Sequence, residues 1–262
     1  MKGIELLSVF FIAIVAIGGA VARLLTVGGA LMAFFVGSSV WIGLGLDGLL
    51  LLATFFLTSS FWSLYRRDQK SESAQHIEKG EQRDAYQVLA NGGWAALFAL
   101  YGTLFQEEVF YVGAVCALAT ANSDTWASEI GVLSKGRPIH VFTLQRVPRG
   151  TSGGVTVLGT VAGGLGAATI AFLASLLEIF SLEAAIVVFL FAVGGMWLDT
   201  LLGATIQRKQ RCLICKNETE ARIHCGQRTV YLRGLKWMTN DVVNASAIGV
   251  SAIASLYIVL LT

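Results

Sequence analysis

The chain has 262 residues, 55% of them hydrophobic and only 14% charged, with a mean hydropathy of +0.68. Charged residues supply about a quarter of an ordinary soluble domain, so this composition excludes a soluble globular protein. The net charge of +2, with 29 glycines against two prolines, fits closely packed transmembrane helices rather than a loop-rich fold.

Taken in order, apolar runs long enough to span a bilayer fall at about 4–22, 27–46, 47–65, 87–104, 109–133, 151–176, 182–206 and 240–261. The first run imitates a signal peptide, with Lys2 ahead of it and Ala20-Val-Ala22 behind. Because further spans follow, it reads as a retained helix. The expected fold is therefore all-α, a polytopic membrane bundle of about eight helices. Residues 1–206 hold the first seven, 207–239 form a small polar insert with Cys and His, and 240–262 carry the last.

Lys and Arg fix the orientation. If the segment 66–86 is cytoplasmic, then Arg23, 134–150 and 207–239 are too, and this side holds 18 of the 19 Lys and Arg residues. Only Lys2 is left outside, and both termini face outward. The protein is expected in the cell membrane, multi-pass, with its site facing the cytoplasm.

Span five carries Asn122, Asp124 and Glu129 inside an apolar run, and span seven carries Asp199. Span eight opens with Asn240-Asp-Val-Val-Asn244, and span four places Asn91 and Gln87 just below the surface. All of these fall in the cytoplasmic half. Ionised carboxylates in hydrocarbon cost several kcal/mol unless paired, liganded or wetted. Asp124, Glu129, Asp199 and Asp241 are the acids in the cytoplasmic halves of the spans, and no span supplies a base. Spacing puts Asp124 with Ser128, Asn122 with Glu129, and Asp241 with Asn244 on shared helix faces. Hard oxygens with amides and water are what Mg²⁺ takes, and Mg²⁺ brings substrate phosphates with it.

Gly150, Thr151, Ser152, Gly153 and Gly154 open span six behind Lys135, Arg137, Arg146 and Arg149. Glycines at a helix start let backbone amides approach a phosphate, and the cations favour it. The run is not a Walker A sequence. Gln207 stands near the same depth at the end of span seven. In the insert, Cys212, Cys215, His224 and Cys225 either hold a structural zinc ion or stand as free thiols beside an imidazole. A hairpin over about 221–235 is expected to cover the inner mouth of the bundle.

The motif Thr120-Ala-Asn-Ser-Asp-Thr-Trp-Ala-Ser-Glu-Ile-Gly131, with Gly150-Thr-Ser-Gly-Gly-Val155, Asp199-Thr-Leu-Leu-Gly-Ala-Thr-Ile-Gln207 and Asn240-Asp-Val-Val-Asn244, resembles an integral-membrane family. That family contains chloroplast phytyl-phosphate kinase and animal transmembrane protein nineteen. The resemblance implies phosphorylation of an isoprenoid monophosphate to its diphosphate, with CTP as donor and Mg²⁺ as helper. On that reading Asp124, Glu129, Asp199 and Asp241 hold Mg²⁺, while Arg146, Arg149 and residues 150–154 hold phosphates. The lipid bilayer is the third partner, and no nucleic acid is expected. A transporter of an anionic solute and a cytidylyltransferase-like enzyme are the alternatives. The first requires polar residues continuing to the outer leaflet, which the sequence lacks.

Overall fold

The structure, a computed structural model, describes residues 2–66, 69 and 82–261. Most of the charged segment expected to be cytoplasmic, including Arg67, Lys70, Lys79 and His76, lies outside the described residues. Seven helices appear among those described: α1 (Lys2–Val21), α2 (Val27–Leu64), α3 (Ala85–Phe105), α4 (Val109–Gly131), α5 (Val157–Leu176), α6 (Leu182–Thr205) and α7 (Asn240–Leu261). The expected spans differ from these by a few residues at each end, except at two places.

The first is α2, whose 38 residues are too long for one straight crossing of a bilayer core about 30 Å thick. Gly45 breaks it, with φ 58 and ψ −144, a conformation essentially confined to glycine. The chain folds back there. A Cβ on Gly37 would touch Leu52 of the returning leg, and Thr26 and Ser60, near opposite ends of the helix, both bond to Arg83. The expected division between 46 and 47 thus falls at Gly45. Gly45 has no atom within 4 Å of a built Cβ, so Gly45→Val tests backbone strain alone. It should cost about 1–3 kcal/mol, read as a lowered thermal midpoint in detergent with no change in helix content.

The second is the start of α5. The glycine run 150–154 does not open this helix; Thr156 caps it, accepting from the Gly159 amide at 3.0 Å. The run instead ends in β2 (Gly154–Val155), which pairs antiparallel with β1 (Ile139–His140). Similar caps start α2 at Thr26, α6 at Ser181 and α3 at Asp84, where Gln87 completes a capping box.

Helix α4 is the axle of the bundle. It packs against α2, α3, α5, α6 and α7, and every residue from 112 to 123 is buried. Enclosed over this stretch by other helices, it has less need to be as apolar as they are. Among the described residues, α2, α3, α5, α6 and α7 are long and apolar enough to cross a membrane. Glycines at 159, 163 and 166 of α5 face it; a Cβ would come 2.7 Å from the Ala127 carbonyl oxygen at Gly159, 3.1 Å from that of Ser123 at Gly163 and 3.0 Å from that of Asn122 at Gly166. Small residues therefore set this close approach. Around the axle the outer faces bear exposed Phe10, Phe35, Leu57, Leu104, Leu176 and Leu190, which suits contact with lipid tails.

The insert between α6 and α7 is a three-stranded sheet, β4 (Glu218–Thr219), β3 (Lys209–Arg211) and β7 (Val230–Arg233), plus a hairpin of β5 (Ile223–His224) and β6 (Gln227–Arg228). The hairpin expected over 221–235 is thus shorter and shares the segment with β7. The Arg208 amide bonds to Met238 and the Leu235 amide to Ile206. These bonds tie the insert to the ends of both flanking helices.

Candidate active site

The polar residues of α4 divide by helix face. Asn122, Trp126 and Glu129 look toward the second leg of α2. Asn122 Oδ1 lies 3.3 Å from Thr58 Oγ1 and 3.4 Å from Ser59 Oγ. Trp126 donates to Thr58 Oγ1 at 3.2 Å, and Ser63 donates to Glu129 Oε1 at 2.7 Å. Asn122 also donates to the Gly166 carbonyl at 2.8 Å, and Ser123 donates to the Gly163 carbonyl at 2.9 Å. Half of the Asn-Ser-Asp-Thr motif thus binds helices together where two backbones meet. Asn122 is fully buried and is not among the residues that line the cavity described next.

That cavity has a volume of about 1020 Å³. Its polar part is lined by Asp124, Ser128 and Glu129 of α4, Asp199 and Thr200 of α6, Asn240 and Asn244 of α7, and Gln87 and Asn91 of α3. Gln207 and residues 150–156 also line it, as do Arg83 and Glu220. Four helices and the segments that join them therefore deliver their out-of-place polar groups to one chamber. Asp199 lies within electrostatic range of Asp124 and Glu220. The Asn244 amide nitrogen, turned toward its acceptors, donates to Asp199 Oδ2 at 2.8 Å and to the Asn240 carbonyl at 3.1 Å. Asn91 donates to the Gln87 carbonyl at 2.9 Å, and Gln207 donates to Asn240 Oδ1 at 3.4 Å. Ser128 spends its hydroxyl on the Thr125 carbonyl at 3.1 Å.

Three further expected site residues, besides Asn122, stand elsewhere. Asp241 is half-buried in the first turn of α7 but does not line the chamber. The lining face is Asn240 with Asn244, one residue out of phase with the expected pairing of Asp241 and Asn244. Arg146 is exposed, and Arg149 donates to the Ser134 carbonyl at 2.7 Å; neither lines the chamber. The cations near the site are others. Arg83 lines it, bonded to Ser60 at 3.5 Å, with its guanidinium over the Phe56 ring. Burial lowers the Arg83 pKa, and the Glu129 charge opposes that shift. Lys209, in the first insert strand, is buried and pairs with Glu220 at 2.7 Å.

Lys209 and Glu220 reach the glycine run through Ser152, which donates to Glu220 Oε1 at 2.6 Å and also contacts Lys209 Nζ. Gly150 and Gly153 have φ near +80. Gly153 lies against α6, where a Cβ would come 2.5 Å from that of Ala204. The run is therefore a bent loop pressed between the end of α6 and the insert, and its residues line the chamber. Sequence reading missed Lys209, Glu220 and Ser60. Charge in a polar insert gives no warning of where it will point.

The cavity continues between α1 and the two legs of α2, where Phe11, Ile12, Val15, Leu52, Phe55 and Phe56 line it. One space thus has an acidic, amide-rich end and a hydrocarbon end.

In the insert, the donor atoms of Cys212, Cys215, His224 and Cys225 all lie within 4.8 Å of one another. Hydrogen bonding by the Cys215 backbone pulls the Cys212 thiol down to about 6. Burial and the neighbouring thiols push Cys225 up to about 11.

A family model described as an integral membrane protein family, DUF92, matches residues 10–252. The chain belongs to the DUF92 family. Among its relatives, Protein PGR of Arabidopsis thaliana is 31% identical over 237 residues, covering 79% of this chain and 81% of that one. An uncharacterized membrane protein of Synechocystis sp. is 31% identical, covering 96% and 91%. The chloroplastic Protein VTE6 of Arabidopsis thaliana is 28% identical, covering 88% and 64%. No solved structure matches. This DUF92 protein is a multi-pass membrane protein, and the family is the one its motifs resemble.

Proposed function

We propose that this DUF92 protein is a kinase of isoprenoid monophosphates, transferring the γ-phosphoryl group of CTP to make the diphosphate at the cytoplasmic leaflet. The observation that carries the reading is the two-ended cavity: carboxylates and a glycine loop at one end, hydrocarbon between α1 and α2 at the other. An amphiphile with a phosphate head fits both ends at once. A small anionic solute leaves the apolar end without a role. The motif resemblance to a family with a phytyl-phosphate kinase supplies the reaction class.

Phosphoryl transfer needs positioning and charge stabilisation more than covalent chemistry. Asp124 and Asp199, with Glu129 further along α4, form a hard-oxygen donor set that suits Mg²⁺. Bound there, Mg²⁺ supplies charge neutralisation for the nucleotide phosphates. Asn244 holds the Asp199 carboxylate in place. The backbone of 150–154 and the Ser152 hydroxyl face the phosphates, and Arg83 offers a cation from the facing loop. An oxygen of the acceptor monophosphate attacks the γ-phosphorus, the bond to the β-bridging oxygen breaks, and CDP leaves. The acceptor is already anionic, so no strong base is needed. The cytoplasmic placement rests on the excess of Lys and Arg in the loops at this end.

The test is product analysis in detergent with γ-labelled CTP and a series of isoprenyl monophosphates. Label should move to the lipid diphosphate, with CDP released. Label in free pyrophosphate would identify a cytidylyltransferase instead, and no product from any lipid would point to transport.

A further inference from the structure

We propose that the insert is a zinc knuckle in which Cys212, Cys215 and Cys225, through their Sγ atoms, and His224, through Nδ1, hold one structural Zn²⁺. The inference concerns the insert alone and is independent of the kinase reading.

The sequence leaves zinc and free thiols open, because adjacent residues such as His224 and Cys225 seldom reach one ion. The fold removes that objection. β5 and β6 pair His224 with Gln227, so Cys225 and Gly226 form a two-residue hairpin turn. Both have positive φ, 51 and 75, as a type I′ turn requires. That turn swings the Cys225 thiol back beside the ring of its neighbour, with Sγ 3.2 Å from His224 Nδ1. On the other side the chain turns between β3 and β4. The Lys216 amide bonds to the Cys212 carbonyl, the Cys212 amide bonds to Asn217, and Lys216 takes φ 63. Cys212 and Cys215 therefore point the same way, and Cys215 Sγ lies 3.5 Å from the same Nδ1.

Zn–S bonds of about 2.3 Å and Zn–N bonds of about 2.1 Å place tetrahedral donors roughly 3.5–3.8 Å apart. Four donors mutually within 4.8 Å fit that sphere with little movement. Two non-glycine residues in left-handed conformations, one in each half of the site, are a cost that a shared ligand explains.

A second observation points the same way. The insert has strands of two to four residues. Its apolar side chains Leu213, Ile214 and Ile223 are 49%, 53% and 66% exposed, so they build no core. So small a unit needs a metal or a covalent tie to hold one shape. It does hold one, because β3 and the segment after β4 must place Lys209 and Glu220 against Ser152. The metal would thereby brace the glycine loop from outside the membrane.

The experiment is metal analysis of the full chain purified in detergent from zinc-replete cells, followed by titration with an organomercurial. The expected result is about one zinc per chain, released as the mercurial reacts. Cys215→Ser and Cys225→Ser should each lose it, whereas Cys116→Ser, buried in α4, should keep it. Should the insert variants fail to fold, the wild-type count still decides. So does a Co²⁺-substituted sample, which should show thiolate charge-transfer and tetrahedral d–d bands. Wild-type protein without zinc whose insert thiols react freely, or whose mass shows a disulfide among them, would overturn the proposal. These readouts do not depend on turnover, so loss of the kinase reading leaves them intact.

Discussion

Asp124→Asn should lower transfer from CTP by roughly 10²–10³-fold or more, the scale on which losing one preorganised electrostatic group in an active site is felt, while leaving the protein folded. The amide has nearly the same shape and sits at the same point of α4, facing the chamber rather than a helix seam. The loss therefore falls on charge alone. Removing a carboxylate from a membrane-embedded site relieves a desolvation cost of several kcal/mol, so the thermal midpoint should stay level or rise. Asn122→Ala is the matched contrast two residues away. It breaks the bond to the Gly166 carbonyl and takes away the acceptor facing Ser59, while Thr58 keeps its bond to the Thr54 carbonyl. Its expected cost is about 1–3 kcal/mol of stability, with turnover per folded molecule little changed. Normal turnover in Asp124→Asn, measured beside its melting curve, removes that residue from the site.

The same two residues show what the sequence could tell. Asp124, Glu129 and Asp199 stand out in a one-dimensional reading because a charge in an apolar run is rare and expensive. Asn122 stands out as an uncharged polar group in the same run, yet its role depends on a carbonyl 44 residues away, which no local pattern reveals. Phase is the second barrier. A shift of one residue at a helix start turns the face by about 100°, and this moves the lining position in α7 from Asp241 to Asn240. The limits of α3, α6 and α7 were legible because length and hydropathy set them together. The start of α5 was not, although Thr156 ahead of an apolar run is a capping signal that could have placed it. Lys209 and Glu220 were hidden for the opposite reason: each sits in a polar segment, where charge carries no information.

Gly153→Val should raise the KM for CTP roughly tenfold or more, with a smaller effect on the lipid substrate. Gly153 has φ +81, and a β-branched residue held there is strained by about 1–2 kcal/mol. The larger effect is steric. A Cβ would sit 2.5 Å from Ala204 Cβ and 3.0 Å from Ala204 Cα, and a helix backbone cannot rotate out of the way as a flexible side chain can. The loop must lift off α6. Its Gly153 carbonyl then leaves the Val141 amide, and Ser152 leaves Glu220 and Lys209. A displacement that forfeits about 1.4 kcal/mol of phosphate binding is a factor of ten in affinity. The effect should appear in KM more than in kcat, because the acids on α4 and α6 are not disturbed. Gly136→Ala, in the same connecting segment, has no atom within 4 Å of a built Cβ and should behave as wild type. If Gly153→Val binds CTP as tightly as that control does, the glycine loop does not hold the nucleotide, and its closeness to the chamber has another cause.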